Sequence, residues 1–261
     1  MRSAMTADDA SWAIPAGGRV GYERFALVLD NEDSVLGRAA VRLLELGIDV
    51  LYANDLDEAE LLARQESGRL GALLIPEVFD QAYTDMLLER VGARLEAGPR
   101  GVIVTGNRPD AESCHRLRAR GVRWGVWHPY EMRELRFVMA AAMSESHAGE
   151  RRKNQRIPTD LPTTVFMGRH RKDVILHDLS VTGAYFATQY PFLEDSRLSI
   201  ELPLPDATVF AKGVVMNAKT ADKPGRNDVP DGMGVSFSDL PEQGLTALRK
   251  FVEAWVDRFR L

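Results

Sequence analysis

The run Arg151-Arg152-Lys153-Asn154-Gln155-Arg156 sets four cations within six positions and contains an R-x-x-x-R spacing at Arg152 and Arg156. Further on, Asp178-Leu179-Ser180-Val181-Thr182-Gly183 forms a D-x-S-x-x-G pattern between two stretches that read as strands. In a chain of formal charge −5 the first run is a local basic patch, and such a patch attracts anions. Arginine brings a planar fork that clamps a phosphate or the O6/N7 edge of guanine and also stacks on a base. Asp178 supplies the complement, because an ionised carboxylate only accepts hydrogen bonds and guanine presents donors at N1 and N2. Ser180 can donate to a phosphate or turn its lone pairs to a base, and Gly183 allows close backbone approach or positive φ. All of these suit one guanine dinucleotide. Each also has a plain use: an Arg-rich run as a solvated linker, and Asp-x-Ser before Gly as a turn whose side chains bond nearby backbone.

In this order, with strand-like segments behind them, the two motifs resemble the signature of the PilZ domain, a small β-barrel family that binds the bacterial second messenger cyclic di-GMP. The resemblance implies that Arg151, Arg152 and Arg156 lie on an arm that folds over the ligand. Asp178, Ser180 and Gly183 would then hold it from the barrel surface. It also implies a part in motility, surface polysaccharide or biofilm control, without choosing among them. Cyclic di-GMP is the expected ligand, with no cofactor and no metal.

The elements behind the motifs fit such a barrel. Apolar-rich segments recur at 163–167, 174–176, 184–188, 197–202, 208–215 and 233–237, with Gly and Pro between them, and read as six antiparallel strands. Residues 219–229 are polar, include Pro224 and Gly225, and read as a long hairpin loop. A second basic cluster, Arg169-His170-Arg171-Lys172, reads as a hairpin tip. The chain closes with a helix whose expected start has Asp239 as N-cap, Pro241 in the first turn and Glu242 as the cap's partner. Leu245, Leu248, Phe251, Val252, Trp255, Val256 and Phe259 give it one broad apolar face, expected to cover an open end of the barrel.

Before the arginine arm, short apolar runs alternate with amphipathic ones, the pattern of a parallel sheet wrapped by helices. Strands are expected at 25–29, 49–53, 71–75, 101–105 and 123–127. Asp57 with Glu60 reads as a capping box, Gly47 as a helix stop, and the last helix starts near Pro129. Five βα units indicate a flavodoxin-like domain. It resembles a response-regulator receiver domain, in which acidic residues after the first strand hold a metal and an aspartate ending the third accepts a phosphoryl group. Asp30 and Glu32 fall near the first position and Thr105 falls where the Thr of that family belongs, but Pro76 occupies the acceptor position and His128-Pro129 replaces the expected Lys-Pro. Proline cannot carry a phosphoryl group, and a largely neutral imidazole replaces poorly the lysine charge. The domain therefore reads as a pseudo-receiver used for contact with an unidentified protein partner, dimerisation through its outer helices included. Glu77 reads as an exposed loop residue and His128 as structural.

The whole chain is thus expected to be α/β plus all-β: a flavodoxin-like, five-stranded parallel sheet domain followed by a six-stranded antiparallel barrel with a C-terminal helix. The expected bounds are a tail at 1–20, the pseudo-receiver at 21–143, linker and arginine arm at 144–157, and the barrel with its helix at 158–261. At 261 residues, 45% hydrophobic and 27% charged, two cores can be buried. The longest uncharged apolar run, 137–143, is far short of the roughly 20 residues that span a bilayer, and 1–20 has no signal-peptide pattern. Membrane insertion is not expected, the compartment is read as cytoplasmic, and the acidic balance disfavours nucleic-acid polymers. Cys114 is the single cysteine, which excludes an intramolecular disulfide and a paired-thiolate metal site. No Walker loop, G-x-S-x-G or HExxH is present, so no catalytic residue is assigned and no enzyme is expected. The reading is a cyclic di-GMP effector that couples ligand binding to protein contact. The alternative is a ligand-independent scaffold that uses both domains for protein contacts.

Overall fold

Short runs of leucine, valine and isoleucine without polar alternation require cover on both faces, and the first part of the chain meets that need with helices on each side of a sheet. The computed structural model describes residues 24–30, 36–144, 154–220 and 229–261. Among these, residues 24–144 with 257–261 form one compact unit and residues 154–256 another.

In the first unit β1 (Phe25–Leu29), β2 (Asp49–Ala53), β3 (Leu70–Pro76), β4 (Val102–Gly106) and β5 (Trp124–Trp127) form a parallel sheet in the order β2-β1-β3-β4-β5. Between them run α1 (Leu36–Glu45), α2 (Leu56–Gln65), α3 (Gln81–Arg90) and α4 (Ala111–Ala119), and α5 (Met132–Ser144) follows β5. This is the flavodoxin-like order. Every residue of β3 and β4 is buried. On one face Leu27, Leu73, Ile75 and Val104 pack with Ala59 and Ala63 of α2 and Leu87 of α3.

Two helix starts differ from expectation. The cap of α2 is Asp55, which accepts from the Glu58 N–H at 2.8 Å, while the Glu58 carboxylate takes the Asn54 N–H at 2.9 Å. The capping box therefore lies two residues before Asp57 and Glu60. Glu60 is drawn instead into a buried ion-pair cluster, where Arg90 Nε donates at 2.6 Å and Arg94 Nη2 at 3.3 Å. Helix α5 starts at Met132 rather than near Pro129, and the Glu134 carboxylate accepts the Glu131 N–H at its entrance, 3.0 Å away. Gly47, at φ 74°, follows the end of α1 and adopts the left-handed conformation that closes a helix.

The second unit is a closed barrel of β6 (Ile157–Met167), β7 (His170–Ser180), β8 (Gly183–Ala187), β9 (Arg197–Leu204), β10 (Ala207–Lys219) and β11 (Gly232–Asp239). Its strand order is β10-β11-β8-β7-β6-β9. Val165, Leu176, Leu179, Phe186, Ile200, Leu202, Val215 and Val235 are buried within it. Three strands run five or more residues beyond their apolar patterns. In β6 the pattern is broken by Pro158, Asp160 (φ 49°) and Pro162, and β7 and β10 carry polar residues outward. The hairpin tip between β6 and β7 falls at Gly168 and Arg169, and most of the expected 219–229 loop lies outside the described residues.

Helix α6 (Glu242–Asp257) buries Leu248, Val252 and Val256 at helical spacing. Asp239 does not cap it. That residue stays in β11, where its carboxylate takes the Lys212 ammonium at 3.1 Å. Phe259 also leaves the expected helical face, because α6 ends at Asp257 and the last residues belong to the first unit.

Candidate functional site

A single slip in a two-residue period builds the site. Along β7, Val174 and Leu176 are buried at even positions, but the next buried apolar residue is Leu179, at an odd one. The slip is a β-bulge at His177. Leu176 pairs with Phe186 and Asp178 with Tyr185, so His177 has no place in the ladder to β8. The neighbouring strand is irregular at the same level, with Pro158 paired to Asp178 and Leu161 to Leu176. Bulges re-aim the residues beyond them. Here they turn Leu179 into the barrel with Ile157 and Ala184, its pairing partners, and so direct Asp178 and Ser180 to the other face.

Two rows of positions alternating with the inward ones result at one end of the barrel, and of their residues only Asp178 is not buried. One holds Pro158, Asp178 and Tyr185, and the other holds Ser180 and Gly183. Arg156 immediately precedes Ile157, the partner of Leu179, and lies outside the ladder. Successive rows on one strand face lie about 7 Å apart. Asp178 and Ser180 are therefore strand residues rather than loop residues, and only Val181 and Thr182 make the turn into β8.

The turn is held by Ser180. Its buried hydroxyl donates to the Gly183 carbonyl at 3.1 Å and accepts from the Thr182 N–H at 3.4 Å. Thr182 in turn accepts from Asn154 Nδ2 at 3.5 Å, which brings the end of the arginine arm onto the D-x-S-x-x-G turn. Arg156 is half-buried at the start of β6. Arg151 and Arg152 lie outside the described residues. Asp178 Oδ2 is 3.3 Å from His177 Nδ1, and the His177 ring meets Tyr185 edge-on at 6.1 Å. The Tyr185 hydroxyl donates to the Pro230 carbonyl at 2.8 Å. His177, Tyr185, Asn154 and Thr182 are neighbours that motif reading passed over. The broken spacing of Val174, Leu176 and Leu179 was the one signal of the bulge that assembles them.

In the first unit, the carboxyl ends of the strands carry the residues singled out by the receiver resemblance. Asp30 is buried and accepts from the Tyr52 hydroxyl at 2.6 Å; burial first, then the Asp30 carboxylate, pushes the Tyr52 phenol up to about 12. Thr105 is buried at the end of β4, and Glu32 lies outside the described residues. Pro76 ends β3 at the acceptor position. Glu77 is not a free loop carboxylate. Its Oε1 accepts from the Asn107 N–H at 2.9 Å and from Asn107 Nδ2 at 3.1 Å, and its own N–H donates to the Thr105 carbonyl. Gly106, at φ 137°, leaves room for this carboxylate: a Cβ there would lie 1.6 Å from Glu77 Oε2. The His128 ring lies 4.7 Å from Tyr130. A cavity of about 390 Å³ is lined by Pro76 and Glu77 together with Phe79, Asp85, Arg116 and Arg120, and by no residue of the two motifs of the second unit. Among the described residues no group of three His, Cys, Asp or Glu could hold a metal ion, and no helix is long and apolar enough to cross a membrane.

Asp178 and the Ser180–Gly183 turn lie at one end of the closed barrel. Residues 150–254 match the PilZ domain family, and this part of the chain is a PilZ domain. The ligand of that family is cyclic di-GMP. No curated protein sequence matches the chain. Similar solved structures include the Borreliella burgdorferi PlzA protein in complex with c-di-GMP (13% identity, 48% of this chain and 50% of that one, TM-score 0.30). Another is the Bacillus subtilis inhibitor of motility MotI/DgrA (17% identity, 42% of this chain and 51% of that one, TM-score 0.33). The chain spans about half the length of each. A third is a response regulator receiver domain protein from Clostridium thermocellum (16% identity, 46% of this chain and 94% of that one, TM-score 0.39). The first unit has the flavodoxin-like fold, and Pro76 ends its central strand β3.

Proposed function

We propose that this protein is a cyclic di-GMP effector, in which the PilZ domain senses the ligand and the pseudo-receiver engages a protein partner. The observation that carries the reading is the meeting of the two motifs: Asn154 of the arm contacts Thr182. In this reading Asp178 accepts hydrogen bonds from guanine N1 and N2, and Arg156 clamps a phosphate or the O6/N7 edge. Arg151 and Arg152 close over the ligand from the arm. Ser180 holds the turn that presents Gly183, whose missing side chain leaves space for a base or phosphate.

Coupling follows from connectivity. Residues 145–153 join α5 to the segment before β6, so a ligand that fixes Arg151 and Arg152 acts on the stretch linking the two units. A ligand shifts only an equilibrium between states that it binds differently. Free and bound arms must then differ, and the partner of the pseudo-receiver, a second copy of the chain included, reads the difference. The reading places the protein in the cytoplasm, and motility, surface polysaccharide or biofilm are the outputs that the family resemblance implies.

Amide resonances test it. Cyclic di-GMP added to isotopically labelled protein is expected to move the signals of Arg156, Asp178 and Gly183, leaving those of Arg169 and His170, at the other end of β6 and β7, in place. Unchanged spectra at millimolar ligand, or shifts confined to the far end, would overturn the assignment.

A further inference from the structure

The outer edge of β5, last in its sheet, is occupied by a short antiparallel segment, residues 258–261. The Gly125 N–H donates to the Phe259 carbonyl at 2.8 Å, and the Leu261 N–H donates to the Arg123 carbonyl at 3.0 Å. Trp124 and Arg260 pair between them. The seat also reads side chains. Phe259 is 3% exposed with its ring 5.8 Å from that of Phe137, and Leu261 joins the core of the unit together with Val104, Cys114 and Val122. Arg258 Nη2 lies 2.5 Å from Glu134 Oε1, a carboxylate that is itself buried. Trp127 Nε1 donates to the Arg258 carbonyl at 2.9 Å, and Arg118 Nη1 to the Leu261 carbonyl at 3.1 Å. A backbone ladder, two apolar sockets at alternate positions and an acid opposite the first cation are the parts of peptide recognition by strand addition.

We propose that this edge is an exchangeable strand-docking site, and that in a self-associated form it is filled by the tail of a second copy of this chain. The occupant follows from the seat, which fits the Arg258-Phe259-Arg260-Leu261 sequence in charge, spacing and direction, and a second copy brings the same four residues. Exchange replaces each contact by its identical counterpart and can be reciprocal, so a closed two-fold pair forms without any new surface. The segment is short, and β5 is the one described strand it pairs with, so leaving the edge disturbs no other strand.

Light scattering on the full-length protein over a wide concentration range tests this, together with a labelled peptide of residues 254–261. A dimer is expected to grow with concentration, and excess peptide to convert it to peptide-bound monomer. Arg258→Glu in the labelled peptide, which sets like charges against Glu134 and keeps Phe259 and Leu261, should weaken its capture by the unaltered protein by about tenfold or more. A monomer at every concentration, or a dimer indifferent to excess peptide, would overturn the proposal. The peptide competition uses the unaltered chain and so depends on no variant's folding.

Discussion

Glu77 shows how much one residue's environment can depart from its sequence context. Beside Pro76 it read as an exposed loop residue, yet Asn107 holds its carboxylate with both backbone and side-chain N–H groups. The contact depends on Gly106, where positive φ and the absence of Cβ coincide. Gly106→Ala should therefore destabilise the first unit by roughly 1–3 kcal/mol in urea unfolding. Adding Glu77→Ala should recover the part due to overlap and leave the part due to φ. Equal stability of Gly106→Ala and the unaltered protein would mean that the carboxylate has room elsewhere. The same lesson holds at Ser180. Its type and spacing suggested contact with a ligand, and its hydroxyl is engaged in the turn that presents Gly183. Both uses were open in the sequence because hydroxyl groups serve turns and anions by the same geometry.

At the scale of elements, unbroken apolar runs were legible and interrupted ones were not. β3 and β4 were found within a residue or two because every position in them is buried. β6 was expected six residues late because Pro158, Asp160 and Pro162 break its pattern, although its pairing with β7 continues across them. The α2 cap was misplaced because Asp55 with Glu58 and Asp57 with Glu60 present the same spacing, and only burial of Leu56, Ala59 and Ala63 chooses between them. The tail was read as helix because its ladder to β5 and the pair with Glu134 join residues far apart in sequence. Two element-scale outcomes follow. At the β8 to β11 seam, a Cβ on Gly232 would lie 2.1 Å from the Phe186 carbonyl oxygen, a backbone atom that cannot swing away. Gly232→Ala is expected to lower barrel stability by roughly 1–3 kcal/mol in chemical denaturation. At the β1 to β2 edge, the Tyr52 phenol is raised from 10.0 to about 12 in the folded chain. Its contribution to stability is complete below pH 10 and is lost as pH rises through 12, since the unfolded chain releases that proton first. Tyr52→Phe should flatten the decline in stability over this window, and parallel curves for the two proteins would assign the decline to other groups.

For the whole molecule, two units carry two kinds of incomplete information. The first is a flavodoxin-like sheet in which Pro76 ends β3, so incubation with acetyl phosphate is expected to leave its mass unchanged; a stable gain of one phosphoryl group would show an acceptor in use. The second keeps its signature, and the described part of it converges on one end of the barrel. That convergence was only half legible. The motif spacing named Arg156, Asp178, Ser180 and Gly183, but the bulge at His177 that turns Asp178 outward shows only when pairing on both sides of β7 is known. The most direct measurement is calorimetric titration with cyclic di-GMP, with GMP and cyclic di-AMP as controls and Arg156→Ala as the paired variant. Binding that is selective for the guanine dinucleotide is expected. Loss of one charge-assisted contact, worth about 1.5–3 kcal/mol, should weaken it by roughly 10- to 150-fold in the variant. Absence of binding in the unaltered protein, or an unchanged Kd in Arg156→Ala, would contradict a sensor built on this site.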